Sequence, residues 1–348
     1  MRDRLSPVHP GPTNSLVDVA GLQVGHAQLA GEGALSGTTV VLPGPEGAVA
    51  GADVRGGGPG TRETDALDPR TLVERVHAVV LTGGSAYGLA AASGVADALG
   101  AMGRGFPVGR EPHEVVPVVP AAVVFDLGRG GRFTARPGAE LGAEALAACT
   151  DAPPAEGVVG AGTGTLIGGL KGGVGSASTV LADGTVVAAL VVANAAGSAV
   201  DPATGELWGR RHRHPDDAEH PALPDDRTAL LADLHAAAAP PTLNTTIGVV
   251  ATDAALSVAQ CAKLAAVGHD GIARAVRPVH GMTDGDTLFG LSTAPAATGR
   301  PAPDLAGVQE ILTAGADCVT RAIVHAVLAA HSVETAAGHW RAYRDLVR

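Results

Sequence analysis

Extended and helical stretches come in blocks along this chain, an order that departs from strict βαβ alternation and favours stacked sheets with helices outside them. Four short, β-branched runs in the first half are bounded by glycine or proline and read as strands: GTTVVL (37–42), GAVAGADV (47–54), VHAVVLTGG (76–84) and AAVVFDL (121–127). Between the last two, residues 85–101 have helical Ala/Leu spacing, entered from the tight turn Gly83-Gly84. Residues 139–148 form a second helical patch. A Gly-rich zone (157–178) then leads into TVLADGTVVAALVVAN (179–194), an apolar strand pair turned at Ala182-Asp183-Gly184. Near the C-terminus, Asp253 is placed to cap a helix striped with Leu256, Ala259, Leu264 and Val267. DGDTLFGLST (284–293) reads as a turn into a strand, and Asp304 caps a long helix carrying Val308, Ile311, Val319, Ile323 and Val327.

With 348 residues the chain suits one large domain or two smaller ones. Hydrophobic residues make up 46% but aromatics only 2%, so Ala, Val and Leu must fill the core, and 49 glycines permit close approaches. A formal net charge of −11 argues against a nucleic-acid or anionic-membrane partner, since both need a basic face. Cys149, Cys261 and Cys318 are widely separated, without a CxxC, and read as idle thiols in a reducing compartment. The N-terminal stretch lacks an apolar signal region, and the apolar run 185–197 is too short to span a bilayer. A soluble cytoplasmic protein is expected.

Several familiar signals nearly match and then fail. GGSAYG puts Tyr87 where a nucleophile elbow needs glycine, and Leu170 breaks the lysine ending of a phosphate loop in GTGTLIGGLKGG. His212, His214 and His220 fall in a charged, Pro-rich stretch (201–242) that reads as an exposed, linker-like segment, so a solvated loop is preferred to a metal cluster. That stretch ends abruptly at LNTTIGVV, where Asn244, Thr245 and Thr246 enter a charge-free strand.

A threonine hydroxyl that follows a peptide bond can attack the preceding carbonyl, and hydrolysis of the ester frees a new N-terminus. The new α-amine, with a pKa of roughly 7.7–8.0, can then serve as the base for the same hydroxyl. Asn244-Thr245, with a Pro-rich lead-in and a strand behind it, suits such a cut. Asp284 and Asp286 share one face of an extended segment; they suit Mg²⁺, a hydroxyl and amine, or an ordinary Asp-Gly turn.

Taken in order, DVRGGGPGTRETDALDP, LTGGSAYGLAAASGVADAL, VPVVPAAVVFDL, VVANAAG, LNTTIGVVATDA and GMTDGDTLFGLST resemble the self-processing amidohydrolases that include the L-aminopeptidase/D-esterase, β-aminopeptidases and nylon-oligomer hydrolase. The resemblance runs from about residue 21 to the C-terminal helix and fits the threonine branch. It implies an α/β fold, a four-layer α/β/β/α sandwich of N-terminal-nucleophile type with different connectivity. It also implies one hydrolase domain over 1–348, cut between Asn244 and Thr245 into an α chain (1–244) and a β chain (245–348). Thr245 would be the nucleophile, and Asp284 and Asp286 would orient its hydroxyl and amine. Lys171 would lend positive charge, Asn194 would donate to the oxyanion, and Tyr87 would bind substrate or donate a hydrogen bond. A small peptide or amide substrate, no metal or organic cofactor, and a homotetramer of cleaved pairs are expected. Two other readings stay open: a threonine acyltransferase of the ornithine acetyltransferase type, and a non-catalytic scaffold with an Asp-x-Asp turn.

Overall fold

The β-branched runs pair into two sheets. In the larger, six strands lie in the order Gly173–Val180, Val186–Ala193, Ile247–Thr252, Thr287–Ser292, Ala48–Val54 and Arg75–Val76. In the smaller, five lie in the order Gln23–Gln28, Gly37–Leu42, Val79–Thr82, Ala121–Val123 and Thr61–Arg62. Each sheet holds one parallel pair among antiparallel neighbours: Ile247–Thr252 beside Thr287–Ser292, and Val79–Thr82 beside Ala121–Val123. The computed structural model describes residues 9–217, 219–237, 243–294 and 302–347.

Side-chain alternation along these strands builds the layers. Val249 and Ala251 share a core with Val41, Leu81 and Ala122 of the smaller sheet, so the two sheets pack face to face. Val250 points the other way, into a core with Leu264, Val319 and Ile323 from the helices Val258–Ala275 and Leu305–Ala329. On the far side Val40, Val80 and Ala121 meet Val95, Leu99 and Leu146 of the helices Ala90–Ala101 and Ala139–Ala147. The result is the expected α/β/β/α sandwich.

Glycine sets the spacing where helix meets sheet. A Cβ on Gly290 would lie 2.0 Å from the Cys261 carbonyl oxygen, and one on Gly175 would lie 2.0 Å from that of Ala322. Close backbone approach therefore replaces the aromatic filling that this composition lacks. The long helix Leu305–Ala329 is apolar enough to cross a membrane, yet 89% of its most apolar window is buried within the protein.

Asp304 caps that helix as expected, accepting the Gly307 N–H at 2.9 Å. Asp253 does not cap the preceding one. Ser257 takes that place in a reciprocal box with Gln260, while Asp253 accepts the Val186 N–H at 2.9 Å. The strand expected from 179 starts at Gly173, so part of the Gly-rich zone is sheet. The stretch 201–242 is not simply exposed: it buries Leu207, Asp217 and Leu230, and it carries the helix Thr228–Ala237. Its residues 218 and 238–242 lie outside the described ones.

Candidate active site

Sheet register alone gathers the central residues. Val192 faces Ile247 in the antiparallel pair, and Ile247 faces Thr287 in the parallel pair. One end of the sheet thus collects Asn194, Asn244-Thr245-Thr246 and the Asp284–Asp286 turn. Main-chain bonds continue the pairing beyond the strands. The Thr245 N–H donates to the Asn194 carbonyl at 2.7 Å, and the Asn244 N–H to that of Thr283 at 3.1 Å.

The carbonyl oxygen of Asn244 accepts two hydrogen bonds. One comes from the Thr245 Oγ1–H at 2.6 Å and the other from the Gly285 N–H at 3.1 Å. A hydroxyl one residue downstream is thereby held against the peptide it would attack, and an N–H polarises the same carbonyl. Gly285 is required here, since a Cβ on it would stand 2.8 Å from Thr245 Oγ1. Asn244 and Thr245 are each only 5% exposed.

Asn194 is fully buried, and its amide orientation follows from its partners. Its Oδ1 accepts the Leu166 N–H at 2.9 Å and Arg129 Nη1 at 2.6 Å, both obligate donors. That leaves Nδ2, which makes one long bond of 3.5 Å to the Phe125 carbonyl, as the side able to donate further. Arg129 carries no motif that marks it in the sequence; the cue is a lone arginine among glycines in LGRGG. It donates through Nη1 to the Gly164 carbonyl at 2.8 Å and through Nη2 to Asn244 Oδ1 at 2.7 Å. Burial pulls its pKa down to about 10, against the charge of Asp126, so it stays cationic at neutral pH.

The acidic pair lies beside the Asn244–Thr245 peptide without touching the Thr245 hydroxyl. Asp286 accepts the Thr246 N–H on Oδ1 at 2.7 Å and bonds His280 Nδ1 through Oδ2 at 2.7 Å. Asp284 accepts the Gly281 N–H at 2.9 Å and the Ala196 N–H at 3.3 Å. Burial, and then the charge of Asp286, push the Asp284 carboxyl above the ordinary range. His280 also escapes sequence reasoning, although it stands just four residues before Asp284. It sits at φ 56, a conformation unusual for a histidine, with its ring edge-on to His269 at 4.9 Å. Burial holds His269 down to about 4, hence neutral.

Lys171 is fully buried, and its Nζ donates to the carbonyls of Gly162, Thr165 and Gly172 at 3.0 Å each. Burial and then Arg129 lower its pKa to about 7, against Asp126. It braces the Gly-rich turn from which Leu166 reaches Asn194. Tyr87 stands apart from this network: it is 55% exposed, with the Arg136 guanidinium 3.7 Å from its ring centre. Among the described residues, no three His, Cys, Asp or Glu side chains cluster as a metal site would.

A sequence profile of peptidase family S58 matches residues 14–341. An uncharacterized aminopeptidase of Mycobacterium tuberculosis (strain ATCC 25618 / H37Rv) is 47% identical over 338 residues, covering 92% of this chain and 95% of that one. The 6-aminohexanoate-oligomer endohydrolase of Kocuria sp. (strain KY2) is 30% identical over 312 residues, covering 82% and 81%. Among solved structures, a Burkholderia sp. beta-aminopeptidase superposes with a TM-score of 0.72 at 25% identity, covering 99% and 96%.

Proposed function

The chain belongs to peptidase family S58 and is a hydrolase of peptide or amide bonds, and from that premise we propose that it activates itself by cutting its own backbone between Asn244 and Thr245. What carries the reading is the Asn244 carbonyl, held at once by the Thr245 hydroxyl and the Gly285 N–H. Thr245 Oγ1 attacks that carbon; the C–N bond breaks as the C–Oγ bond forms, and the hydroxyl proton passes to the departing nitrogen. Water then hydrolyses the ester, leaving a carboxylate on Asn244 and a free amine on Thr245.

In turnover the Thr245 amine accepts the hydroxyl proton as Oγ1 attacks a substrate amide. Asn194 Nδ2 donates to the oxyanion, the protonated amine passes its proton to the departing substrate nitrogen as the C–N bond breaks, and water then hydrolyses the ester to free the acid. Asp286 anchors the start of the strand through Thr246, while Asp284 and Lys171 set the local charge. Tyr87 is assigned a substrate contact. The relatives' names point to aminopeptidase or oligoamide substrates. A homotetramer of cleaved pairs in the cytoplasm completes the proposal, and light scattering tests the assembly.

Intact-mass analysis of purified protein should give two polypeptides, the smaller beginning at Thr245. Thr245→Ala should remain one inactive chain; full activity in that variant would overturn the reading. Acyl transfer to an added amine in place of water would move the protein to the acyltransferase class.

A further inference from the structure

The arginine that grips Asn244 is held by contacts that outlast any cut. Arg129 is 7% exposed, and its guanidinium is fixed by the Gly164 carbonyl and Asn194 Oδ1 as well as by Asn244. Its own carbonyl accepts Trp340 Nε1 at 3.0 Å and Thr335 Oγ1 at 2.9 Å, so its main chain is tied to a separate hairpin. If Thr245 is the nucleophile of both reactions, on which this inference rests, the attacked carbonyl carbon occupies one place in both. The acyl group of each substrate then takes the seat that Asn244 held.

In that seat the oxygen reaching Arg129 lies on Cγ, the fourth carbon counted from the attacked carbonyl. We propose that Arg129 determines acyl-side specificity: the preferred substrates are amides whose acyl group carries a second carbonyl or carboxylate oxygen in this 1,4 relation, such as asparaginyl, aspartyl or succinamoyl groups. An apolar acyl group of the same shape would fill the seat and leave a buried guanidinium donor unanswered. That is the situation a polar site rejects most strongly. Arg129 also acts as a positioning residue, because its bond to Asn194 Oδ1 keeps the amide's Nδ2 turned outward.

The test compares isosteric donors on the cleaved wild-type enzyme: asparaginyl against leucyl p-nitroanilide, and succinamoyl against 4-methylpentanoyl p-nitroanilide. At least one polar member should exceed its partner by about a hundredfold in kcat/KM. Arg129→Met should lower kcat for both members and flatten their ratio, while Arg129→Lys keeps part of it. Should the arginine variants not fold, self-cleavage gives the same comparison within the chain. Asn244→Asp should cut at close to the wild-type rate and Asn244→Leu about tenfold or more slowly. Equal kcat/KM within both pairs, in enzyme whose smaller chain begins at Thr245, would overturn the specificity and leave the nucleophile standing. An enzyme active without a Thr245 terminus would instead remove the premise.

Discussion

At Asp217 both carboxylate oxygens are spent, on Arg321 Nε and Nη2, Asn14 Nδ2 and the His214 N–H. Arg321 is spent as well, on Asp217, the Ser178 carbonyl, Thr179 Oγ1 and Asn14 Oδ1. At Thr245, by contrast, the buried polar groups keep capacity in reserve: Asn194 Nδ2 makes only one long bond, and the Thr245 hydroxyl rests on the neighbouring carbonyl. Both regions are buried, and both join segments far apart in sequence. On the proposed reading burial alone does not mark the reactive site; at Thr245 it is joined by a side-chain donor with capacity to spare.

The comparison breaks most visibly at Thr245. Thr245→Ala should abolish both cleavage and hydrolysis while thermal unfolding stays close to wild type; a large loss of stability would show that this region, too, is structural. Arg321→Met should do the reverse. It strands Asp217 and should cost about 3–5 kcal/mol in denaturant unfolding, with kcat per folded molecule unchanged. On the proposed mechanism Asn194→Ala removes one oxyanion donor and should lower kcat by about 10²–10³-fold, roughly 2.7–4 kcal/mol, in single-turnover assays of protein already cleaved.

Acidity gives a smaller and opposed signature. For His325, burial works against the charge, but Asp217 at 3.5 Å and Glu156 at 3.7 Å outweigh it and raise the pKa to about 9. The sign follows from linkage: this contribution is complete below the unfolded value near 6.5 and fades as pH rises through about 9. On the proposed mechanism the freed Thr245 amine, with a pKa of roughly 7.7–8.0, must be neutral to act as base, so activity should climb over the range where stability declines. Parallel pH titrations of melting temperature and kcat check this crossing. The smallest effect belongs to Asp304→Ala, which should cost about 1 kcal/mol of stability through its lost cap and leave catalysis alone.

Local chemistry was legible wherever neighbours in sequence decide the outcome. The hairpin turn at Asp183-Gly184, the Asp304 cap and the alternation of Val249, Val250 and Ala251 all follow from adjacent residues. Thr245, Asn194 and the acidic pair came from a resemblance in motif, and strand ends bring them to one rim. Arg129 was not, since nothing beside it reveals that it is buried against residues 65 and 115 positions away. Lys171, expected only to lend positive charge, is interior, and three carbonyls converge on its Nζ. The charge of 201–242 suggested solvent, yet Asp217 finds its partner 104 residues downstream.

The strands Ile247–Thr252 and Thr287–Ser292 run side by side in one direction, so both begin at the same rim. A break before Thr245 would sort the apparatus by role between two polypeptides. The piece after it would inherit the attacking hydroxyl, its amine and both acids. The piece before it would keep Asn194, proposed to answer the charge that the attack creates, and Arg129, which holds the Asn194 amide in place. Neither fragment alone would own a complete set, so hydrolysis would be confined to molecules in which the two remain docked.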